Sequence, residues 1–275
     1  MKYMGSKNRI ANEIIPIMLQ NRKENQWFVE PFVGGSNVID KVGGNRLASD
    51  NNKYLIELYH KLQNGYKPID FISREDYYDI KFNKEKYPME VVALCGILAS
   101  YNGNWFRAYG GYSETKTGKD RNYYKEGVNN LMKQLPNIID IDYVCCEYYE
   151  LEIPKNSIIY CDPPYQNVDK TYKEKQFNHD KFWEWCRSKV SEGHSVFVSE
   201  YNAPNDFEVI WEKELQKTHP NQKKKSTEKL FVLKSEGRKK NKYGMIPQNF
   251  NRRTNIAMEH NGCKYKLLNT NLNKK

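Results

Sequence analysis

The sequence predicts an α/β fold, a doubly wound sheet broken by a long insertion and trailed by a basic tail. Three observations predict it. Trp27–Glu30 is a short apolar run ending in an acid; Gly34-Gly35 follows, then a second such run, Arg46–Asp50. Strand, glycine turn, helix, strand is how a doubly wound sheet begins. The rhythm resumes late, where Ser157–Cys161 reads as a buried strand and leads through a helical stretch to another strand, Ser195–Ser199. A chain of 275 residues is also long enough to bury the core of one large domain, or of a domain with a small insertion.

Taken in order, a helix is expected from near Lys7 to about Asn21, with Ile10, Ile14, Ile17 and Met18 on one face. After the glycine turn, residues 36–42 are expected to begin a helix capped by Ser36. Residues 52–64 and 88–100 read as helices. Between and after them, as far as about residue 140, charge is mixed, tyrosines are many, and no regular element is assigned. Asp180–Glu192 reads as a helix and Lys229–Leu233 as the last strand, while from Gly237 onward hydrophobic periodicity fades.

Mean hydropathy is −0.89, yet 21 Tyr, 11 Phe and 5 Trp are too many for a disordered chain. No apolar run approaches the ~18 residues of a membrane span, and the first residues lead into no signal-peptide core. The six cysteines form no C-x-x-C pair, so reduced thiols in a cytoplasm are expected, and the five histidines lack any metal-ligand spacing. Charge is unevenly spread. Residues 217–275 hold 16 Lys/Arg against three acids, a balance of +13, whereas residues 1–216 hold 28 against 31, a balance of −3. A polyanion touching the last fifth of the chain is the natural reading, nucleic acid first; a solvated basic arm is the competing one.

Asp162-Pro163-Pro164-Tyr165 follows an apolar strand, and the carboxyl ends of strands are where open α/β sheets bind ligands. Two prolines fix the backbone and remove two N–H donors, leaving carbonyls free to accept. An acid, an outward carbonyl and an aromatic ring suit a planar base carrying an exocyclic amino group: the ring stacks on Tyr165 while Asp162 and the Pro163 carbonyl accept the amino hydrogens. A plain Pro-rich turn is the alternative for this motif taken alone. Glycines in Glu30-Pro31-Phe32-Val33-Gly34-Gly35-Ser36 let a ligand approach the backbone, and Asp50 ends the next strand where an acid commonly binds ribose hydroxyls. Without G-x-G-x-x-G, a dinucleotide is disfavoured. Cys161, with no evident histidine partner, reads as a buried structural thiol.

Together these residues resemble the Dam-like DNA adenine-N6 methyltransferases over about residues 2–235. Lys2-Tyr3-Met4-Gly5-Ser6-Lys7 is similar to the family's amino-terminal K-[WY]-x-G-x-K motif, Val29–Gly35 to its E-P-F-x-G cofactor loop, Ser49-Asp50-Asn51-Asn52 to its ribose motif, and Asp162–Tyr165 to its catalytic D-P-P-Y, in the family's order. The resemblance implies a Rossmann-like, S-adenosylmethionine-dependent methyltransferase sheet with an inserted, mostly helical and hairpin target-recognition subdomain. Residues 1–54 and 146–236 would be the catalytic and cofactor-binding domain, 55–145 the recognition subdomain, and 237–275 a basic tail. Carried over by position, Tyr3, Lys7, Asp50 and Asp162 contact the cofactor. Glu30 belongs to the cofactor loop, in which Phe32, Gly34 and Gly35 line the methionine end. Glu147 and Tyr148 touch the adenine, with ordinary packing an equal alternative for each. Asp162, Pro163, Pro164 and Tyr165 are the catalytic residues. The resemblance further implies S-adenosyl-L-methionine with S-adenosyl-L-homocysteine as product, no metal, and no covalent intermediate. Its partner is double-stranded DNA, with no membrane, no obligate protein partner, and room for a cognate restriction enzyme, in a bacterial or phage-infected cytoplasm.

Tyr101–Arg107 resembles the start of the family's recognition hairpin, with Arg107 able to pair with a guanine edge and Tyr101 or Asn102 able to enter the duplex where the base leaves. Residues 101–127 hold seven aromatic and five basic side chains, Arg121 among them. The family's continuation G-x-F-N-x-P-x-G is replaced here by Gly110–Thr115, so the resemblance carries over no target sequence. Ser199-Glu200-Tyr201-Asn202 is similar to a position beside the catalytic pocket, with strand capping the alternative. RNA methylation, a non-catalytic DNA-binding protein, and cytosine-N4 methylation are the rival readings. The early insertion and the amino-terminal motif argue against the first. Intact Asp50, Asp162 and Tyr165 argue against the second, and Asp162, where serine is usual, against the third.

Lys223–Lys225, Arg238, Lys239, Lys240, Lys242, Arg252 and Arg253 fall outside these motifs and are expected to bind phosphates. Truncation after about residues 232–234 should weaken DNA binding and flatten its salt dependence without changing cofactor affinity. A salt titration that leaves the slope unchanged would overturn this.

Overall fold

The computed structural model describes residues 1–114, 118, 120–166, 177–216 and 225–234. In chain order its helices and strands are α1 (Ala11–Leu19), β1 (Phe28–Glu30), β2 (Arg46–Asp50), α2 (Lys53–Gln63), α3 (Arg74–Phe82), α4 (Met89–Leu98), β3 (Tyr112–Glu114) and β4 (Asp120–Asn122). There follow α5 (Tyr123–Gln134), β5 (Asp142–Cys145), β6 (Ile158–Cys161), α6 (His179–Ser191), β7 (Ser195–Glu200), β8 (Phe207–Gln216) and β9 (Lys225–Leu233). The central sheet has seven strands in the order β5-β2-β1-β6-β7-β9-β8. Its first five strands are parallel, and β9 runs antiparallel to both β7 and β8. This is a mixed, mostly parallel sheet of the doubly wound, Rossmann-like kind. β3 and β4 form a separate antiparallel hairpin.

Alternation along each strand explains why the central runs read as continuously apolar. Phe28, Ala48, Ile158, Tyr160, Phe197 and Leu230 face one buried cluster, which they share with α1, α2, α4 and α5. Val29, Leu47, Ile159, Cys161, Val198 and Phe231 face the other, closed by Phe182, Trp183 and Cys186 of α6. Side chains two apart on a strand share a face, and a strand covered on both faces has no polar position left over. The inserted helices join the first cluster: Leu94, Ile97, Tyr124 and Leu131 lie among the same buried residues as Ile10, Ile14 and Phe28.

The structure alters several expectations. The helix at 36–42 is only a 3-10 turn, Ile39–Lys41. Ser36 cannot cap it, because Ser36 sits at φ +54° with its hydroxyl buried 3.0 Å from that of Tyr143. The Glu30 carboxylate takes the Ile39 N–H instead, at 3.0 Å. The first helix is divided into a 3-10 turn, Lys7–Arg9, and α1, on which Ile15 is buried and Ile17 only half-buried. Four elements were not expected. β5 buries Tyr143 alone of its four residues and so carries no apolar pattern. In α3 only Tyr77 and Ile80 are buried, although the Ser73–Asp76 capping box was there to be read. α5 buries Tyr124, Val128 and Leu131 at helical spacing within a polar run. β8 is an edge strand with a bulge between Val209 and Trp211, which breaks its alternation. Lys239, Lys240 and the rest of the basic tail lie outside the described residues.

Candidate active site

The direction of the chain reverses between β1 and β6. From β1 it winds outward to β2 and β5, then returns to β6 on the other side and continues to β7. The crevice outside the carboxyl ends of these two strands is the switch point where such sheets hold ligands. Two loops border it, Pro31–Ser36 after β1 and Asp162–Gln166 after β6, and each carries one of the sequence motifs.

In the first loop Gly34 has φ +44°, a conformation that favours glycine, and a Cβ there would lie 2.8 Å from the Tyr3 ring. A Cβ on Gly35 would lie 2.5 Å from the Asn37 amide and 2.8 Å from Tyr3 Cβ. The amino-terminal segment is thus pressed into a cradle that only glycine leaves open. On its other side Gly103, φ +69°, brings its own Cα within a methyl's reach of the Tyr3 backbone, and its carbonyl accepts the Met4 N–H at 3.3 Å. Tyr3 therefore joins the Pro31–Ser36 loop to the segment around Gly103. Asp50, at the end of β2, accepts the Gly34 N–H at 3.1 Å and the Asn52 N–H at 2.9 Å. Burial pushes its carboxyl up, opposed by those two N–H groups. Glu30 lies behind the loop, fully enclosed, with its carboxyl pushed well above the usual range by burial. Its observed role is to hold the turn through Ile39. Gly35→Ala should displace Tyr3 and destabilise the fold by about 1–3 kcal/mol, the scale of overpacking by one methyl, as measured by thermal melting; a wild-type melting temperature would show that the cradle gives way freely.

In the second loop the Asp162 carboxylate lies 3.1 Å from Lys7 Nζ. Lys7 also donates to the Gly5 carbonyl at 3.1 Å, approaches Glu228 of β9 at 3.6 Å, and sits 4.3 Å from the centroid of the Tyr165 ring. Burial disfavours the ammonium charge, but Asp162 and Glu228 together hold its pKa above the ordinary value. The Tyr165 hydroxyl donates to Glu228 at 2.9 Å, and its ring meets that of Tyr201 in a T-shaped pair, 4.6 Å between centroids. Glu200, at the end of β7, accepts the Tyr201 N–H at 2.7 Å and the Gln166 N–H at 3.1 Å, so its carboxylate caps the strand and ties down the exit of the loop. Cys161, next to Asp162, is buried and its thiol is pushed far up by that burial, which keeps it a thiol.

Burial pushes the Asp162 carboxyl up to about 6, with Lys7 pulling the other way, and the Glu200 carboxyl up to about 7. Work that needs Asp162 as an acceptor should therefore fade as pH falls through about 6. Stability runs oppositely. A carboxyl whose pKa is higher folded than unfolded contributes fully below the unfolded value, and that contribution is lost as pH rises through the folded one. Asp162→Asn should thus gain in melting temperature relative to wild type as pH rises from about 4, the ordinary carboxyl value, through about 6; a gap independent of pH would refute the shift.

Phe32 leaves this crevice for an aromatic group on the opposite face, 5.2 Å from Tyr148 and 5.9 Å from Phe177 between ring centroids. Tyr148 also meets Trp185 at 5.2 Å. Glu147 accepts from the Asn51 amide at 3.2 Å beside the end of β2. The structure thus brings Tyr3, Lys7, Gly34, Gly35, Asp50, Asp162 and Tyr165 to one edge and sets Phe32, Glu147 and Tyr148 beside it.

The segment expected to be the recognition hairpin is built differently from a hairpin beginning at Tyr101. Tyr101–Gly103 is a 3-10 turn with exposed Tyr101 and with Asn102 at φ +56°. Trp105 and Phe106 turn inward over Gly96 of α4, whose missing Cβ would lie 2.6 Å from both rings. Arg107 remains exposed, and the hairpin proper starts only at Tyr112. Arg121, also exposed, grips Glu126 with two N–H bonds of 2.8 and 3.0 Å. Sequence reading missed Glu228 and Gly103. A lone acid two residues before buried Leu230 on the same strand face was the available signal for Glu228; nothing in the linear sequence marks Gly103. Among the described residues no three His, Cys, Asp or Glu gather to hold a metal ion, and no helix is long and apolar enough to cross a membrane.

A family model described as D12 class N6 adenine-specific DNA methyltransferase matches residues 3–227. The type II methyltransferase M.FokI of Planomicrobium okeanokoites is 25% identical across 68% of this chain and 31% of that protein. The type II methyltransferase M.MjaIII of Methanocaldococcus jannaschii is 24% identical across 91% of this chain and 98% of its own length. The DNA adenine methylase of Haemophilus influenzae is 28% identical across 60% of this chain and 63% of its own. The chain therefore spans about a third of the first relative and nearly all of the second.

Proposed function

Because the chain belongs to the D12 class of N6 adenine-specific DNA methyltransferases, we propose that it transfers a methyl group from S-adenosyl-L-methionine to N6 of adenine in duplex DNA, using Asp162, Pro163 and Tyr165 at the amine. The observation that carries this is the buried Lys7–Asp162 pair, 3.1 Å apart, facing the glycine cradle across the switch point.

The donor set fits the cofactor. Asp50 ends its strand with a buried carboxylate suited to ribose hydroxyls, and Gly34 and Gly35 let Tyr3 pack against the loop, where its ring would line the cofactor's seat. S-adenosyl-L-methionine supplies an activated methyl on a sulfonium sulfur. The chain's own residues supply position. Asp162 and the Pro163 carbonyl accept the two amino hydrogens, which turns the nitrogen lone pair outward and offsets the positive charge that grows there. Lys7 keeps Asp162 ionised despite its burial. Tyr165 stacks on the base through the ring face away from Lys7. A base within the helix cannot reach a strand-end crevice, so the target is flipped out.

Relatives named as type II methyltransferases support reading the chain as a modification enzyme, whose natural counterpart is a restriction enzyme for the same site. The test is transfer of labelled methyl to unmethylated genomic DNA, with modified bases located by single-molecule sequencing. Label on adenine at one short motif is expected. Label on RNA alone, or on cytosine, would overturn the proposal.

A further inference from the structure

We infer that Glu228 is a positioning residue for this reaction, its carboxylate fixing the Tyr165 ring on which the target base stacks. The inference rests on the assignment of Asp162–Tyr165 to the base pocket. Glu228 lies 63 residues beyond Tyr165, on β9, outside every recognisable motif. It reaches the site through sheet pairing. Cys161 is in register with Val198, Ser199 with Leu230, and Glu200 with Lys229. The antiparallel run of β9 therefore delivers Glu228 to the carboxyl edge of β6 and β7, on the same strand face as buried Leu230.

There it is 8% exposed and has two partners. Its Oε2 accepts from the Tyr165 hydroxyl at 2.9 Å and lies 3.6 Å from Lys7 Nζ. A buried carboxylate is costly unless paired and hydrogen-bonded, so its burial favours the one Tyr165 rotamer that points the hydroxyl at it. Pro163 and Pro164 stiffen the backbone leading to Tyr165. What remains free is the ring's own two torsions: the hydrogen bond at the far end of the ring restrains the first, and the contacts of Lys7 and Tyr201 with the ring restrain the second. Lys7 over one face and the T-shaped contact with Tyr201 complete the clamp. A stacking platform held in advance loses no orientational freedom when the base arrives.

The test is a double-mutant cycle read as single-turnover methyl transfer at saturating cofactor, on a duplex bearing the motif that the wild-type chain modifies. Tyr165→Phe keeps the ring and removes the donor; Glu228→Leu removes the acceptor. Each is expected to slow transfer by about tenfold, and the pair together by about tenfold as well, since one hydrogen bond is lost in all three. Glu228→Gln, which can still accept, should restore the rate to within about twofold of wild type. Fluorescence of 2-aminopurine at the target position should be quenched in the wild-type complex and rise in Glu228→Leu. A wild-type rate for Tyr165→Phe, or a combined loss near the product of the two, would overturn the inference. If Glu228→Leu fails to fold, Tyr165→Phe alone decides, since it keeps the ring and loses only the hydrogen bond: a slowed rate with less quenching of 2-aminopurine supports the inference, and a wild-type rate overturns it. Failure of the wild-type chain to methylate adenine in DNA would instead remove the functional reading itself, which separates the two failures.

Discussion

Asp162→Ala abolishes methyl transfer while leaving the fold intact: this is the largest single effect expected, a loss of at least about 10³-fold in the single-turnover rate. On the proposed reaction this carboxylate holds the target amine; it is partly desolvated and kept ionised by a lysine 3.1 Å away. Its attraction for the amine grows as nitrogen becomes positive, so the interaction is stronger in the transition state than in the bound state. The loss should therefore appear in the rate at saturation more than in the affinity for DNA. A preorganised polar group of this kind is commonly worth about 10² to 10³, and here Asp162 also orients the lone pair. The check is single-turnover transfer with both substrates saturating, beside a melting curve. A variant that keeps more than a tenth of the rate would show that the Pro163 carbonyl suffices to hold the amine.

Lys7→Met is expected to have the second largest effect, on stability and pH dependence together. Methionine fills the space of the lysine stem but leaves Asp162 and Glu228 buried without the cation that lies 3.1 and 3.6 Å from them. Breaking a buried pair by removing one partner costs about 3–5 kcal/mol, which for a domain of this size lowers the melting temperature by roughly 6–20 °C. Lys7 is also what opposes the upward push of burial on Asp162. Without it the carboxyl titrates higher still, so the acid limb of the rate profile should move upward from near 6. Raising the pH should then recover activity in the variant that wild type already has at pH 7. Lys7→Arg, which keeps the charge, should keep the limb near its wild-type position. An unmoved acid limb in Lys7→Met would show that the lysine does not govern Asp162.

Legibility in the sequence followed burial. β1, β2, β6 and β7 were readable because both faces of each strand are covered and the code collapses to unbroken apolar runs. α2, α4 and α6 were readable too; α4 is buried from Val92 to Leu98. β5 and β8, lying at the two edges of the sheet, bury too little to leave a pattern, and α3 and α5 carry short apolar stripes within charged surroundings. The expected helix at 36–42 failed for a different reason. Ser36 has the chemistry of a cap, but a buried hydrogen bond to Tyr143, 107 residues away, claims its hydroxyl.

By itself the sequence determined the chemistry at the strand ends. Gly34-Gly35, Asp50 and Asp162–Tyr165 each belong to one strand and the turn that follows it, so local chain geometry suffices to aim them outward. Only the tertiary structure decided how those pieces are held. Gly103 meets Tyr3, and Glu228 meets Tyr165 and Lys7, across separations of 100, 63 and 221 residues. Such contacts follow from strand order and register, which are set by burying both faces of the whole sheet at once and leave no trace in any short stretch of chain.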